Sequence, residues 1–206
     1  VAKTFPAEIV RSAYAAGQRD FGESYLQEAA AKMARLAGLD LTWHFVGPIQ
    51  SNKTRPIAAS FAWVHSVDRL KVAERLAAQR PEHLPPLAVC IQVNVSGEAS
   101  KSGVAPDELP ALARAVAGLP RLRLRGLMTI PEPTPDPALQ RRRFETLRAL
   151  QERLGCEGLP LDTLSMGMSD DLEAAIEAGA TMVRVGTAIF GPRAVEDREP
   201  AAERTP

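Results

Sequence analysis

The sequence predicts an α/β fold of the (β/α)₈ TIM-like barrel type, shortened at its N-terminus. Three observations predict it. Short, near-continuous apolar runs recur along the chain, and such runs read as parallel strands covered on both faces. Longer amphipathic stretches separate them, as helices packed on a sheet require. Six clear runs and two partial ones bring the strand count to eight, which favours the barrel over an open doubly wound sheet.

In chain order, Val1-Ala2 reads as the end of a first strand and Arg19-Asp20-Phe21 as a weak second. Residues 23–36 follow as a helix, with Tyr25, Leu26, Ala29, Ala30 and Met33 in one apolar stripe. Thr42-Trp43-His44-Phe45-Val46 is aromatic and β-branched and stops at Gly47-Pro48. Residues 60–65 form the next run. A helix is expected over 68–79, with Asp68 at its N-cap and Leu70, Val72, Ala73, Leu76 and Ala77 facing a core. The run at 87–95 is the longest. The helix at 106–117 opens with Pro106-Asp107-Glu108, the charge pattern that suits a first turn. Strand 124–130 ends at Pro131, and an arginine-rich amphipathic helix spans 139–154. Strand 163–165, a helix at 169–178 that opens Ser-Asp-Asp and stops at Gly179, and strand 181–185 complete the series. Residues 1–193 are thus expected to form one domain and 194–206 a polar tail.

Composition narrows the function. Lys+Arg and Asp+Glu are both 25 in 206 residues, a net charge of zero, so neither nucleic acid nor an anionic membrane surface is expected as the main partner. No apolar run approaches the ~18 residues of a membrane span. Val1-Ala2-Lys3-Thr4-Phe5-Pro6 lacks signal-peptide architecture, and Cys90 and Cys156 read as reduced thiols, so a cytoplasmic protein is expected. His44, His65 and His83 have no metal-ligand spacing, and no metal site is expected.

In a parallel α/β fold, function gathers at the C-terminal ends of the strands. Polar clusters stand there: Lys3-Thr4, Gly22-Glu23-Ser24, Asn94 with Ser96-Gly97, Ser165-Met166-Gly167-Met168-Ser169, and Gly186-Thr187. Barrels often hold a phosphate between the last two such loops and a helix N-terminus. Ser169 is expected at that N-terminus. Gly186 allows close backbone approach beside the Thr187 hydroxyl, and Arg184 projects to the same side of the chain. Spacing alone serves a capping serine, a turn glycine and a surface arginine equally well.

Lysines are scarce: Lys3, Lys32, Lys53, Lys71 and Lys101 against twenty arginines. A lysine at the end of a buried strand loses proton affinity, which Schiff-base chemistry needs. Lys3 has that place, although a charged residue near a frayed terminus looks the same. Gly97-Glu98-Ala99-Ser100-Lys101-Ser102 lacks the spacing of a phosphate-binding P-loop.

Together these stretches resemble one family. Its signatures are Lys3-Thr4, Phe21-Gly22-Glu23-Ser24-Tyr25-Leu26-Gln27-Glu28, and Trp43-His44-Phe45-Val46-Gly47-Pro48-Ile49-Gln50-Ser51-Asn52-Lys53. Gln92-Val93-Asn94, Ser100-Lys101-Ser102-Gly103 and Arg125-Gly126-Leu127-Met128-Thr129-Ile130-Pro131 follow. Leu164-Ser165-Met166-Gly167-Met168-Ser169-Asp170-Asp171 and Val183-Arg184-Val185-Gly186-Thr187-Ala188-Ile189-Phe190-Gly191 close the series. The chain resembles the pyridoxal-phosphate homeostasis proteins, whose fold is similar to the N-terminal barrel of alanine racemase.

The resemblance implies pyridoxal 5′-phosphate held as a Schiff base on Lys3. It implies phosphate contacts from Ser169, Gly186, Thr187 and Ser165, Asn94 near the cofactor, and Arg184 facing the pyridine nitrogen. It implies a cofactor carrier in vitamin B6 balance, monomeric, with cofactor-dependent apoenzymes as recipients. An amino-acid racemase is the alternative, although Tyr14 and Tyr25 are the chain's two tyrosines and no second domain supplies another base. Two departures stand out. Ser24 replaces the family's asparagine, and only Val1-Ala2 precede the lysine where relatives carry a helix and a full strand, which leads one to expect weaker cofactor binding.

Overall fold

The computed structural model describes residues 1–97 and 102–192, so the expected tail and Lys101 lie outside the described residues. Its elements in order are α1 (Ala7–Ala15), β1 (Asp20–Glu23), α2 (Leu26–Arg35), β2 (Thr42–Phe45), α3 (Thr54–Ser60), β3 (Trp63–Val67), α4 (Leu70–Gln79), β4 (Leu87–Gln92), α5 (Leu109–Ala117), β5 (Leu122–Met128), α6 (Pro137–Cys156), β6 (Thr163–Ser165), α7 (Leu172–Glu177) and α8 (Thr187–Phe190).

The six strands pair in parallel in the order β1-β2-β3-β4-β5-β6. A doubly wound sheet reverses direction at a switch point; this one never does, which is the winding of a barrel. Past β6, Met182 makes a single parallel bridge to Ser165. The Val1 ammonium then donates to Val185 O at 2.5 Å, and the Ala2 amide donates to Gly22 O at 2.8 Å. Val1-Ala2 therefore stands between β1 and the 181–185 segment, and the sheet curls round towards itself at the C-terminal ends of its strands without full closure.

The expected strand at 181–185 is reduced to that bridge. Its neighbour β6 is three residues long, too little for a longer ladder. Other boundaries shift for local reasons. Glu23 ends β1 instead of opening a helix, because its carbonyl accepts the Val46 amide at 2.9 Å. Asp68 is not the cap of α4; Arg69 holds that position, and the Asp68 carboxylate pairs with the Arg69 guanidinium at 2.6 Å. Residues 60–61 close α3, so β3 starts at Trp63. Helices α1, α3 and α8, each of nine residues or fewer, had no expectation from the sequence.

The core is continuous. Phe144, Leu147, Leu150 and Leu154 present one face of α6, while Phe21, Phe61, Leu76, Leu87, Ile91, Leu109 and Leu127 fill the space against the sheet. Each fully buried large apolar side chain stabilises the fold by roughly 1.5–3 kcal/mol. Gly126 is required by β5–β6 packing, since a Cβ there would lie 1.8 Å from Thr163 O. Among the described residues no helix is long and apolar enough to cross a membrane, and no group of acidic, histidine and cysteine side chains could hold a metal.

Candidate functional site

A cavity of about 190 Å³ opens at the C-terminal ends of the strands. Its wall carries Lys3, Ser169, Arg184, Gly186 and Thr187, joined by Ser24, Asp170 and the apolar Val46, Ile130 and Met168. Five of the seven residues expected at a cofactor site thus meet in one place, from loops up to 184 positions apart in sequence.

Lys3 leaves the end of Val1-Ala2 in a tight turn. The Phe5 amide donates to Ala2 O at 3.1 Å, and Thr4 takes φ +67°, a left-handed conformation unfavourable for a β-branched residue. Ser169 does not begin a helix, contrary to the sequence expectation. Helix α7 starts at Leu172, because the Asp171 carboxylate accepts the Met168 amide at 2.6 Å and closes a turn there. Ser169 Oγ instead accepts the Ala188 amide at 3.2 Å, tying this loop to the first turn of α8. Gly186 takes the N-cap position of α8 and Thr187 opens it, so hydroxyls and backbone amides gather at one end of the cavity. Gly167, at φ +92°, lets the loop pass α7; a Cβ there would meet Ala175 Cβ at 2.5 Å.

Arg184 forms the floor. It is buried, and its backbone amide donates to Gly167 O at 2.8 Å. Burial lowers the guanidinium to about 10, so it stays cationic at neutral pH. Nη2 donates to Thr129 O at 2.7 Å and Nη1 to Ser165 Oγ at 2.8 Å. Ser165 therefore stands behind Arg184, not on the cavity wall. Asn94 lies apart as well, with Oδ1 accepting the Gly97 amide at 3.1 Å in a turn after β4.

The contact from Arg184 continues through the interior. Ser165 Oγ is 2.7 Å from His65 Nδ1, His65 Nε2 is 2.9 Å from His44 Nδ1, and His44 Nε2 is 3.0 Å from Asp20 Oδ1. Burial lowers the proton affinity of both histidines, His65 most, and outweighs the Asp20 carboxylate that pulls His44 the other way. With both rings neutral, the ends fix every donor. Asp20 only accepts, so His44 Nε2–H donates to it and Nδ1 accepts; His65 Nε2–H donates and its Nδ1 accepts the Ser165 hydroxyl. Ser165 is then left to accept from Arg184. The chain runs one way, from guanidinium to carboxylate. A second cavity of about 80 Å³ lies beside Asp20, His44 and His65, and Val1, Val46 and Arg184 line both.

Sequence reasoning tested the histidines only as metal ligands. The signal it passed over was their place: one imidazole inside each of two neighbouring apolar strands, the register pairing His44 with Trp63 and placing His65 two residues on.

The cavity combines an amine, three hydroxyls, a helix opening and a buried cation, with Asp170 as its acidic member. That donor set fits an anionic aldehyde such as pyridoxal phosphate: cation and N–H groups for an anion, an amine for a carbonyl.

Comparison with known proteins agrees with this chemistry. The model of the alanine racemase N-terminal domain matches residues 3–194. The pyridoxal phosphate homeostasis protein of Pseudomonas aeruginosa is 69% identical over 193 residues, covering 94% of this chain and 83% of that one. Its Escherichia coli K12 counterpart is 54% identical over 201 residues, covering 94% and 84%. PipY of Synechococcus elongatus, solved with PLP bound, superposes with a TM-score of 0.86 at 41% identity over 92% of this chain and 90% of that one. Alanine racemase of Corynebacterium glutamicum shares the fold at a TM-score of 0.71 and 19% identity, over 96% of this chain and 56% of the racemase. By sequence and by fold, the chain belongs to the pyridoxal phosphate homeostasis proteins, within the family of the alanine racemase N-terminal domain.

Proposed function

We propose that this chain binds pyridoxal 5′-phosphate through the Lys3 amine and acts in the homeostasis of that cofactor. The observation that carries the reading is the meeting of Lys3, Ser169, Gly186, Thr187 and Arg184 on one cavity wall. When bound, the cofactor supplies an aldehyde that condenses with an amine and a ring that withdraws electrons. Ser169, Gly186 and Thr187 would hold the phosphate with hydroxyls and backbone amides. Arg184 would hold the pyridine nitrogen end of the cofactor, as the family resemblance implies. Its proton is held to about 10, far above neutrality, so it keeps that proton and leaves the ring nitrogen an acceptor. A ring in that state withdraws electrons weakly, which suits holding and delivering the cofactor to apoenzymes over carbanion chemistry.

Tyrosine geometry counts against the racemase alternative. Tyr14 lies beneath the Arg19 guanidinium at 4.0 Å and Tyr25 lines a different cavity, so neither faces Lys3 across the site. Two free thiols, Cys90 buried and Cys156 exposed, support a cytoplasmic setting. Titration with pyridoxal phosphate, followed by visible absorbance, tests the reading. Lys3→Ala is expected to lose the band of the lysine-bound cofactor while Lys53→Ala keeps it. A band retained in Lys3→Ala overturns it.

A further inference from the structure

The backbone on both sides of Lys3 is held by one helix. Ala2 O, the carbonyl before Lys3, accepts from Lys32 Nζ at 2.5 Å. The Thr4 amide, immediately after Lys3, donates to Glu28 Oε1 at 2.5 Å. Glu28 and Lys32 are one turn apart on α2 and pair with each other at 2.5 Å. The two peptide groups that fix the direction of the Lys3 side chain are thus gripped by two side chains that are themselves joined.

The grip has a buried base. Lys32 is 5% exposed and Glu23 is 0% exposed, and Lys32 Nζ donates to Glu23 Oε1 at 2.7 Å. Lys32 Nζ therefore spends its three protons on Ala2 O, Glu23 and Glu28. Glu23 Oε2 is buried with no hydrogen-bond partner among the described residues. A carboxylate and an ammonium placed there contribute little as a stabilising pair, since desolvation offsets their attraction. They do fix a geometry. That geometry includes Thr4 at φ +67°, which a β-branched residue does not hold by itself.

We propose that Glu28 and Lys32, anchored by Glu23, are positioning residues that aim the Lys3 amine at the cofactor aldehyde. The inference rests on Lys3 being the cofactor amine. It predicts that the clamp governs capture of an aldehyde and has no part in holding the phosphate, because Ser169, Gly186 and Thr187 belong to other loops.

The test compares two ligands: pyridoxal phosphate, which can react with Lys3, and pyridoxine phosphate, which has no aldehyde. Glu28→Ala removes the acceptor of the Thr4 amide. It is expected to weaken pyridoxal phosphate binding by about tenfold and to leave pyridoxine phosphate binding unchanged. Glu28→Gln keeps an oxygen for Thr4 and Lys32 and is expected to restore most of the loss. In a Lys3→Ala background, Glu28→Ala is expected to change neither affinity. Equal weakening of both ligands by Glu28→Ala would make the contact merely structural and overturn the inference, as would unchanged affinity for both. Borohydride trapping separates the two levels. An adduct on Lys3 with an unaltered ligand ratio overturns the clamp alone, whereas an adduct on another lysine overturns the cofactor reading and the clamp with it.

Discussion

Acid should unfold this protein through His44 and His65 before it titrates ordinary carboxylates. Both histidines are buried and neutral, with proton affinities below the usual value of 6.5. The unfolded chain gains their protons as pH falls through about 6.5, whereas the folded chain takes them up only at lower pH. Unfolding then binds more protons than folding, so stability rises with pH in that window and falls as pH drops through it. Each such histidine contributes a slope of up to ~1.4 kcal/mol per pH unit, and the two together up to ~2.7. Protonating His44 in place also turns its Nδ1 into a donor facing the Nε2–H of His65, so the chain to Arg184 must rearrange. The assay is urea unfolding at several pH values between about 7.5 and 5, read by tryptophan fluorescence; Trp63 stacks on His44 with ring centroids 5.6 Å apart. The comparison is a His44→Gln/His65→Gln chain, in which these protons are absent. The Val1 amine, lowered to about 6, and Glu23, raised by burial, titrate in both chains and largely cancel. A steep fall in the parent below about pH 6.5 with a shallow one in the variant is expected. Identical slopes would refute the assignment of two neutral, buried histidines.

Four further outcomes follow from the site. Thr187→Ala should weaken retention of pyridoxal phosphate by about 1.5–3 kcal/mol, one hydrogen bond to a charged acceptor, read by equilibrium dialysis. Gly186→Val should cost more, since even a Cβ there would lie 3.1 Å from Val1 O. Ser165→Ala strands both Arg184 Nη1 and His65 Nδ1, and should lower folding stability by roughly 1–3 kcal/mol in urea melts and shift the visible spectrum of the loaded protein. Ser24→Asn, which restores the carboxamide usual in the family on the cavity wall, should tighten binding by about 0.5–1.5 kcal/mol, and equal affinities would show that the side chain does not reach the ligand.

Much of the barrel was legible in the sequence because β2, β4 and α6 carry strong patterns of the right period. Residues 87–91 are apolar without interruption, and Phe144, Leu147, Leu150 and Leu154 repeat at three and four. Boundaries were less legible where a tertiary bond overrides local propensity, as at Glu23, whose carbonyl is claimed by Val46, and at Asp171, which turns the chain before α7 can start. The grouping of Lys3, Ser169, Arg184, Gly186 and Thr187 followed from strand-end logic and the family's motifs. Ser165 was expected among the phosphate contacts, whereas its hydroxyl lies against Arg184 and His65; the direction of such a side chain has no sequence signature. Glu23 was legible as part of a polar cluster at a strand end, but only the folded chain shows that Ala2 O and the Thr4 amide lie within reach of Lys32 and Glu28.

Lys3 is proposed as the amine that takes the cofactor. Borohydride reduction of the chain loaded with pyridoxal phosphate, followed by peptide mass spectrometry, identifies that amine. A single phosphopyridoxyl adduct is expected on Lys3, absent when Thr187→Ala and Gly186→Val have together emptied the phosphate end. An adduct on Lys32, Lys53, Lys71 or Lys101 in place of Lys3, or an adduct spread evenly over all five lysines, would contradict it.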